Sequence, residues 1–511
     1  MNLALDLAPH LAIAPIVIPA LAAPLALLVM RRRRRLGIAI SFVSCFAMLA
    51  AALALMVQAG DGVIRTYELG GWEAPFGILL VTDRLAAIML LLAAVLALLA
   101  LLHAVVTGAD RDGWHFHPLL QFQLLGLNGA FLTGDLFNLF VFFEVLLIAS
   151  YGLMVHGQGS ARLKAGVQYV VVNIIGSSLF LIALGLLYSL TGTLNMAQMG
   201  LRIAAIGPDD QWLLRVAALL LASVFALKAA LVPLHLWLPR TYAVATPAVA
   251  ALFAIMTKVG VYSLIRVVPQ VLGDDAGSAA WAPAPYLLPA AILTAVVGFA
   301  GVFVARRLSE QAAYAIIGST GTLLIAVAAW QVDTLGAALY YLVHSTLAGA
   351  ALFLIADVVA RRRASFSDTV SSGPAFCQRQ SVGLLFLVAA IATVGLPPLS
   401  GFIADHGIGR RYPRLGLGLG GHPADHAGGG DRLRPRRQRD LLEGRPGFRR
   451  RRACPRVTLR HGGARDCAAA GGGAGSRCGA GNRLWLGRRR AGARRSRDRP
   501  RRAGRRMRCG A

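Results

Sequence analysis

The chain has 511 residues, 56% of them hydrophobic, and a mean hydropathy of +0.61. Apolar runs long enough to cross a bilayer recur through it, which excludes an ordinary soluble domain and reads as a polytopic, all-α membrane protein. The net charge of +28 would suggest nucleic acid, but 30 arginines against 7 acids lie after residue 404, so the remainder carries only about +5 and no nucleic-acid partner is expected.

Twelve candidate spans follow in order, at about 11–30, 36–58, 85–106, 116–133, 136–156, 166–190, 212–233, 246–268, 283–305, 311–330, 335–360 and 381–403. Each is close to the ~20 residues that cover the hydrocarbon thickness. The first lacks preceding basic residues and is followed by Arg31–Arg35, so it reads as a retained helix rather than a cleaved signal. Basic residues follow the odd-numbered spans: Arg31–Arg35, Arg162 and Lys164, Arg240, Arg306 and Arg307, and Arg361–Arg363. By the positive-inside rule these loops are cytoplasmic and the N-terminus is outside. The six cysteines have no CxxC spacing, so no metal, disulfide framework or redox cofactor is expected.

Charged residues inside the spans carry the chemistry. Glu144 stands in span 5 among Phe142, Phe143, Val145 and Leu146. A carboxylate there must be protonated, paired or beside water. It reads either as a neutral acid bridging helices or as a relay carboxylate paired with an intramembrane lysine. Lys228 in span 7 is the natural partner. Pro233, His235 and Pro239 follow it, and proline removes a backbone donor and clashes with the carbonyl four residues earlier, so this helix should break. A titratable lysine beside a break suits a transporter half-channel, with His235 as a further titratable candidate. Lys258 in span 8 has Tyr262 one turn on, and His344 is central in span 11 beside Tyr340 and Tyr341.

The chain contains only three lysines, Lys164, Lys228 and Lys258, whereas its loops use arginine. Arginine does not release its proton at usable pH, and a desolvated lysine can. A lysine at mid-bilayer depth costs about 2.5–3.5 kcal/mol on insertion scales, so two of them point to proton exchange. Asn173, Ser177 and Ser178 in span 6, and Ser319, Thr320 and Thr322 in span 10, read as helix–helix contacts or as water-holding groups.

Span 12 ends GLPPLSGFI, a second proline break around Pro397 and Pro398. From Asp405 the composition shifts abruptly to Arg, Gly, Ala and Pro, with no isoleucine after Ile408 and one phenylalanine. The tail reads either as a disordered basic arm or, as the break inside a transmembrane pattern favours, as an out-of-frame translation of a GC-rich gene.

The stretches DLFNLFVFFEVLLIASYGL, LKAALVPLHLWLPRTYAVATPAVAALFAIMTKVGVYSLIRV and TVGLPPLSGFI closely resemble the proton-translocating antiporter-like family. Its members are the large membrane subunits of respiratory complex I and of Mrp-type (Mnh, Pha) antiporters, and the residue pattern is most similar to the D-type subunit of the latter. The resemblance covers about residues 10–403. It implies a fourteen-helix bundle with two inverted five-helix repeats and a proton relay of Glu144, Lys228, Lys258 and His344. The division it implies is helices 1–3 over 1–115, a first repeat over 116–268, an incomplete second repeat over 283–403, and the tail over 404–511. A family lysine expected after GLPPLSGF is replaced by Asp405–His406.

The function that follows is a membrane subunit of a multisubunit Na+ or K+/proton antiporter in the bacterial cell membrane, with other membrane subunits as partners. The alternative is a proton-pumping subunit of a complex I-like oxidoreductase or membrane hydrogenase, whose redox chemistry would belong to partners. A basic-tailed lipid or nucleic-acid adaptor is the third possibility.

Overall fold

The computed structural model describes residues 8–394 apart from 75, 364, 365, 374, 375 and 377, all within one compact unit, Met1–Arg450. The break expected at Pro397 and Pro398, Asp405–His406 and the tail lie outside the described residues. Among those described, nine helices are long and apolar enough to cross a membrane.

Helix α1 (Ala14–Met30) and α2 (Arg34–Ala59) are joined at the arginine cluster. A hairpin of β1 (Arg65–Glu68) and β2 (Leu79–Thr82) follows, antiparallel with Arg65 opposite Thr82, where the sequence shows only a loop. Helix α3 (Arg84–Thr107) begins at Asp83, whose carboxylate accepts from the Ala86 amide at 2.8 Å as an N-cap. Helices α4 (Phe116–Leu132), α5 (Leu136–Met154) and α6 (Ser160–Thr191) come next, then the short α7 (Met196–Ile203), which buries Met196, Met199 and Ile203.

The predicted span 7 is realised as α8 (Gln211–Lys228), an irregular segment, and α9 (Trp237–Val244). Pro233 would clash with the carbonyl of Ala229, four residues back, and α8 stops one residue short of it. The predicted span 8 is not continuous. Helix α10 (Pro247–Phe253) is separated from α11 (Met256–Val271) by Ala254 and Ile255. Neither residue is Pro or Gly, so no local signal marks the interruption. It is stabilised from elsewhere, by the Tyr242 hydroxyl donating to the Phe253 carbonyl at 2.9 Å.

Helices α12 (Ala284–Val304), α13 (Leu308–Val327), α14 (Val332–Arg363) and α15 (Arg379–Val394) complete the described bundle. Small residues bring backbones together: Gly298 faces the Gly318 backbone and Gly321 faces Ala295 between α12 and α13, and Gly126 faces Leu146 between α4 and α5. The apolar window of α10–α11 is 100% buried, whereas those of α6 and α12 are 33% and 28% buried. The interrupted helix therefore runs through the centre of the bundle, and α6 and α12 present lipid-facing sides.

Candidate functional site

Lys228 is the last residue of α8, 6% exposed. A helix C-terminus carries partial negative charge, which favours an ammonium there. Backbone groups freed by the break need partners in the absence of water. The Trp237 indole donates to the Leu227 carbonyl at 3.2 Å, and the Val232 amide donates to Thr294 Oγ1 on α12 at 3.0 Å.

The Lys228 ammonium donates to Asn173 Oδ1 on α6 at 3.0 Å and lies 5.9 Å from the Phe143 ring centre. The direct pair expected with Glu144 is not formed, since no Lys228–Glu144 ion pair within 4 Å occurs among the described residues. Asn173 reaches the ammonium first because α6 packs along α8, whereas Glu144 lies on α5, next in sequence to Phe143. Glu144 is within electrostatic reach of Lys228, and its buried Oε1 has no hydrogen-bond partner among the described residues. Ser177, one turn beyond Asn173, also has a buried hydroxyl with no hydrogen-bond partner among the described residues. Groups of this kind, next in sequence to Phe143 and one turn from Asn173, the two residues that meet the ammonium, make a polar spot suited to water.

Lys258 sits in the first turn of α11, 1% exposed. Its ammonium donates to Thr320 Oγ1 at 2.9 Å and Ser319 Oγ at 3.4 Å, both on α13. Of the span 10 hydroxyls, Ser319 and Thr320 thus hold a lysine, while Thr322 donates to the Gly318 carbonyl of its own helix. The two lysine sites meet through Gly260: a Cβ there would stand 2.5 Å from the Ala229 nitrogen and 2.9 Å from the Lys228 carbonyl carbon. Helix α11 touches the end of α8 only because that side chain is missing.

His344 Nε2 lies 2.8 Å from the Ala392 carbonyl on α15; with a carbonyl as acceptor, Nε2 carries the proton and donates. A cavity of about 10 Å3, the room of a single water centre, is lined by His344, Ser345, Thr393 and Ser319. Ser319 also touches Lys258, so one hydroxyl faces both groups. His235 lies in the α8–α9 segment, where among the described residues its buried Nδ1 has no hydrogen-bond partner and no hydrogen bond ties it to either lysine.

A larger cavity of about 560 Å3 opens among the N-terminus of α6, the α9–α10 turn and the C-terminal half of α14. Arg162, Arg307, Asp357 and Asp368 line it with Tyr242 and Phe353. Tyr242 is the same residue that secures the α10–α11 interruption, which places this opening one contact from the segment preceding Lys258.

Ion pairs between distant segments had no sequence signal. His103 on α3 meets Asp357 on α14 at 2.8 Å, where Arg361 also binds. Arg266 on α11 meets Asp83 at 2.6 Å, 183 residues away. Single ionisable residues are visible in a sequence, but their pairings are not.

Residues 133–408 match the family model described as NADH:quinone oxidoreductase/Mrp antiporter, TM. The chain belongs to that family. The D subunit of a probable K(+)/H(+) antiporter of Rhizobium meliloti is 42% identical over 77% of this chain and 77% of its own length. The D subunit of a Na(+)/H(+) antiporter of Alkalihalophilus pseudofirmus is 36% identical over 77% and 79%. Among solved structures, a chain of the Mrp complex of a Dietzia species superposes with a TM-score of 0.71 at 29% identity, covering 80% of this chain and 76% of that one. The family member is thus a multi-pass cell-membrane protein of the ion-transporting kind, and its relatives are subunits of larger membrane assemblies.

Proposed function

We propose that the chain is the D-type subunit of a monovalent cation (Na+ or K+)/proton antiporter, moving protons along Glu144, Lys228, Lys258 and His344. The observation that carries this reading is the state of the two lysines. Both are buried at helix interruptions, and among the described residues their ammonium groups donate to the neutral oxygens of Asn173, Ser319 and Thr320. A permanent charge held that way is costly, and lysine is the cation that can shed its proton.

The contacts support this order. Glu144 is within electrostatic reach of Lys228 and Ser177 stands one turn from its partner Asn173; the Gly260 contact joins the end of α8 to α11; Ser319 and the one-water cavity face Lys258 on one side and His344 on the other. The 560 Å3 opening beside Tyr242, lined by Arg162 and Arg307 of the basic loops, is roomy and polar enough to serve as an approach for water. His235 is a weaker member, since among the described residues nothing joins it to the row.

The relatives named as antiporter subunits favour cation exchange over the redox-complex alternative. The test is exchange in everted vesicles carrying the assembled complex, with Glu144→Ala, Lys228→Ala and Lys258→Ala. Loss of a proton-transfer group costs roughly 10²–10⁴-fold in rate. Wild-type exchange in any lysine variant with normal assembly would refute the relay.

A further inference from the structure

Helix α11 carries Lys258, Tyr262 and Arg266 at four-residue intervals, hence on one face. The row ends in a closed polar latch. Arg266 grips Asp83 with two parallel bonds, Nη1 to Oδ2 at 2.6 Å and Nη2 to Oδ1 at 2.9 Å. Its Nε and Nη2 also donate to the Tyr262 hydroxyl at 3.1 Å, and its guanidinium lies 5.4 Å from that ring centre. The Tyr262 hydroxyl in turn donates to the Phe131 carbonyl in the last turn of α4 at 2.6 Å. Asp83 has a second task as the N-cap of α3.

The neighbouring Arg84 donates to the carbonyls of Ala59 and Gly60 at the end of α2. The latch therefore sits at the hairpin end of the bundle, opposite the end where α2 begins at Arg34. Burial pushes the Asp83 carboxyl up, but the hydrogen bonds and charge of Arg266 and the Ala86 amide outweigh it and hold it below its ordinary value. Asp83 thus stays ionised and keeps the guanidinium in place. Arg266 is 13% exposed and Asp83 18%, so the pair stands between the buried row and the surface.

A guanidinium cannot pass a proton on, and a fixed positive charge at a constriction repels protons and cations alike. By helical rise Arg266 stands about 12 Å beyond Lys258 and about 80° round the helix from it, far enough not to touch it and still within the same broad face. We propose that Arg266, held by Asp83 and Tyr262, is the stop that closes the Lys258 site against leakage toward the hairpin end of the bundle. The proposal rests on the relay reading above.

The test is the passive collapse of an imposed pH gradient in vesicles carrying the full complex, with no exchangeable cation present. Arg266→Ala should dissipate the gradient several-fold faster than wild type. Arg266→Lys should leak less, because a cation that can still reach Asp83 and Tyr262 remains, and Asp83→Asn should fall between wild type and Arg266→Ala, because the guanidinium loses its charged anchor. If Arg266→Ala fails to reach the membrane, Arg266→Gln, which keeps donors for Tyr262 but not the charge, should leak instead. A leak no faster than wild type in the charge-free variant, or an equal leak in Arg266→Lys, overturns the proposal. The leak should vanish in Arg266→Ala/Lys258→Ala. A leak that persists there overturns the stop at Lys258 while leaving the relay to its own test, exchange in the single lysine variants.

Discussion

Gly260→Ala probes the contact on which the two lysine sites depend. The added Cβ would lie 2.5 Å from the Ala229 nitrogen, 2.8 Å from the Phe225 carbonyl oxygen and 2.9 Å from the Lys228 carbonyl carbon. All three are backbone atoms, so no rotamer change relieves them. Reaching an ordinary 3.4 Å contact moves α11 away from α8 by about 0.9 Å, the difference between 3.4 and 2.5 Å. Overpacking of this kind costs about 1–3 kcal/mol of stability. The functional cost should be larger, because a misplacement near 1 Å in a proton-transferring row slows it by about 100-fold. The assay is cation-dependent collapse of a pH gradient in everted vesicles, normalised to the amount of assembled complex, beside the thermal midpoint of the purified complex. Gly185→Ala on α6 is the control, since nothing lies within 4 Å of its added Cβ. Wild-type exchange and stability in Gly260→Ala would refute the close approach of α11 to the end of α8.

Asn173→Leu removes the neutral acceptor of the Lys228 ammonium and should slow exchange by roughly 10–100-fold at unchanged assembly, whereas Asn173→Gln should recover part of the rate; equal rates for Leu and wild type would show the 3.0 Å bond to be idle. Thr320→Val should slow exchange more than Ser319→Ala, because Thr320 is the shorter contact to Lys258, and the reverse order in vesicle rates would contradict the geometry. Asp368, in the loop after α14, is opposed by burial but held below its ordinary carboxylate pKa by Ser309 and Arg307. Its stabilisation is thus present above the ordinary value of 3.8 and lost as pH falls through the lowered one. Asp368→Asn should flatten the fall in thermal midpoint as pH drops below about 4, and an unchanged slope would count against it.

Much of the architecture was legible because its causes are local. Apolar length marked the helices, Pro233 marked the end of α8, and the use of lysine against a background of arginine marked Lys228 and Lys258. The interruption before Lys258 was not legible, since Ala254 and Ile255 carry no helix-breaking chemistry and the freed Phe253 carbonyl is taken up by Tyr242. Opposite charge made Glu144 the expected partner of Lys228. The packing of α6 along α8 put Asn173 there instead.

The sequence alone therefore determined a helical membrane protein, the presence of two lysines inside its spans, and one of the two places where a central helix must stop. Those properties follow from transfer cost and backbone chemistry, which act on a few neighbouring residues. Only the tertiary structure decided that Lys228 faces Asn173, that Ser319 stands between Lys258 and His344, and that Arg266 closes on Asp83. Each joins residues from distant segments, and their meeting is fixed by how the helices pack against one another, a quantity no single segment contains.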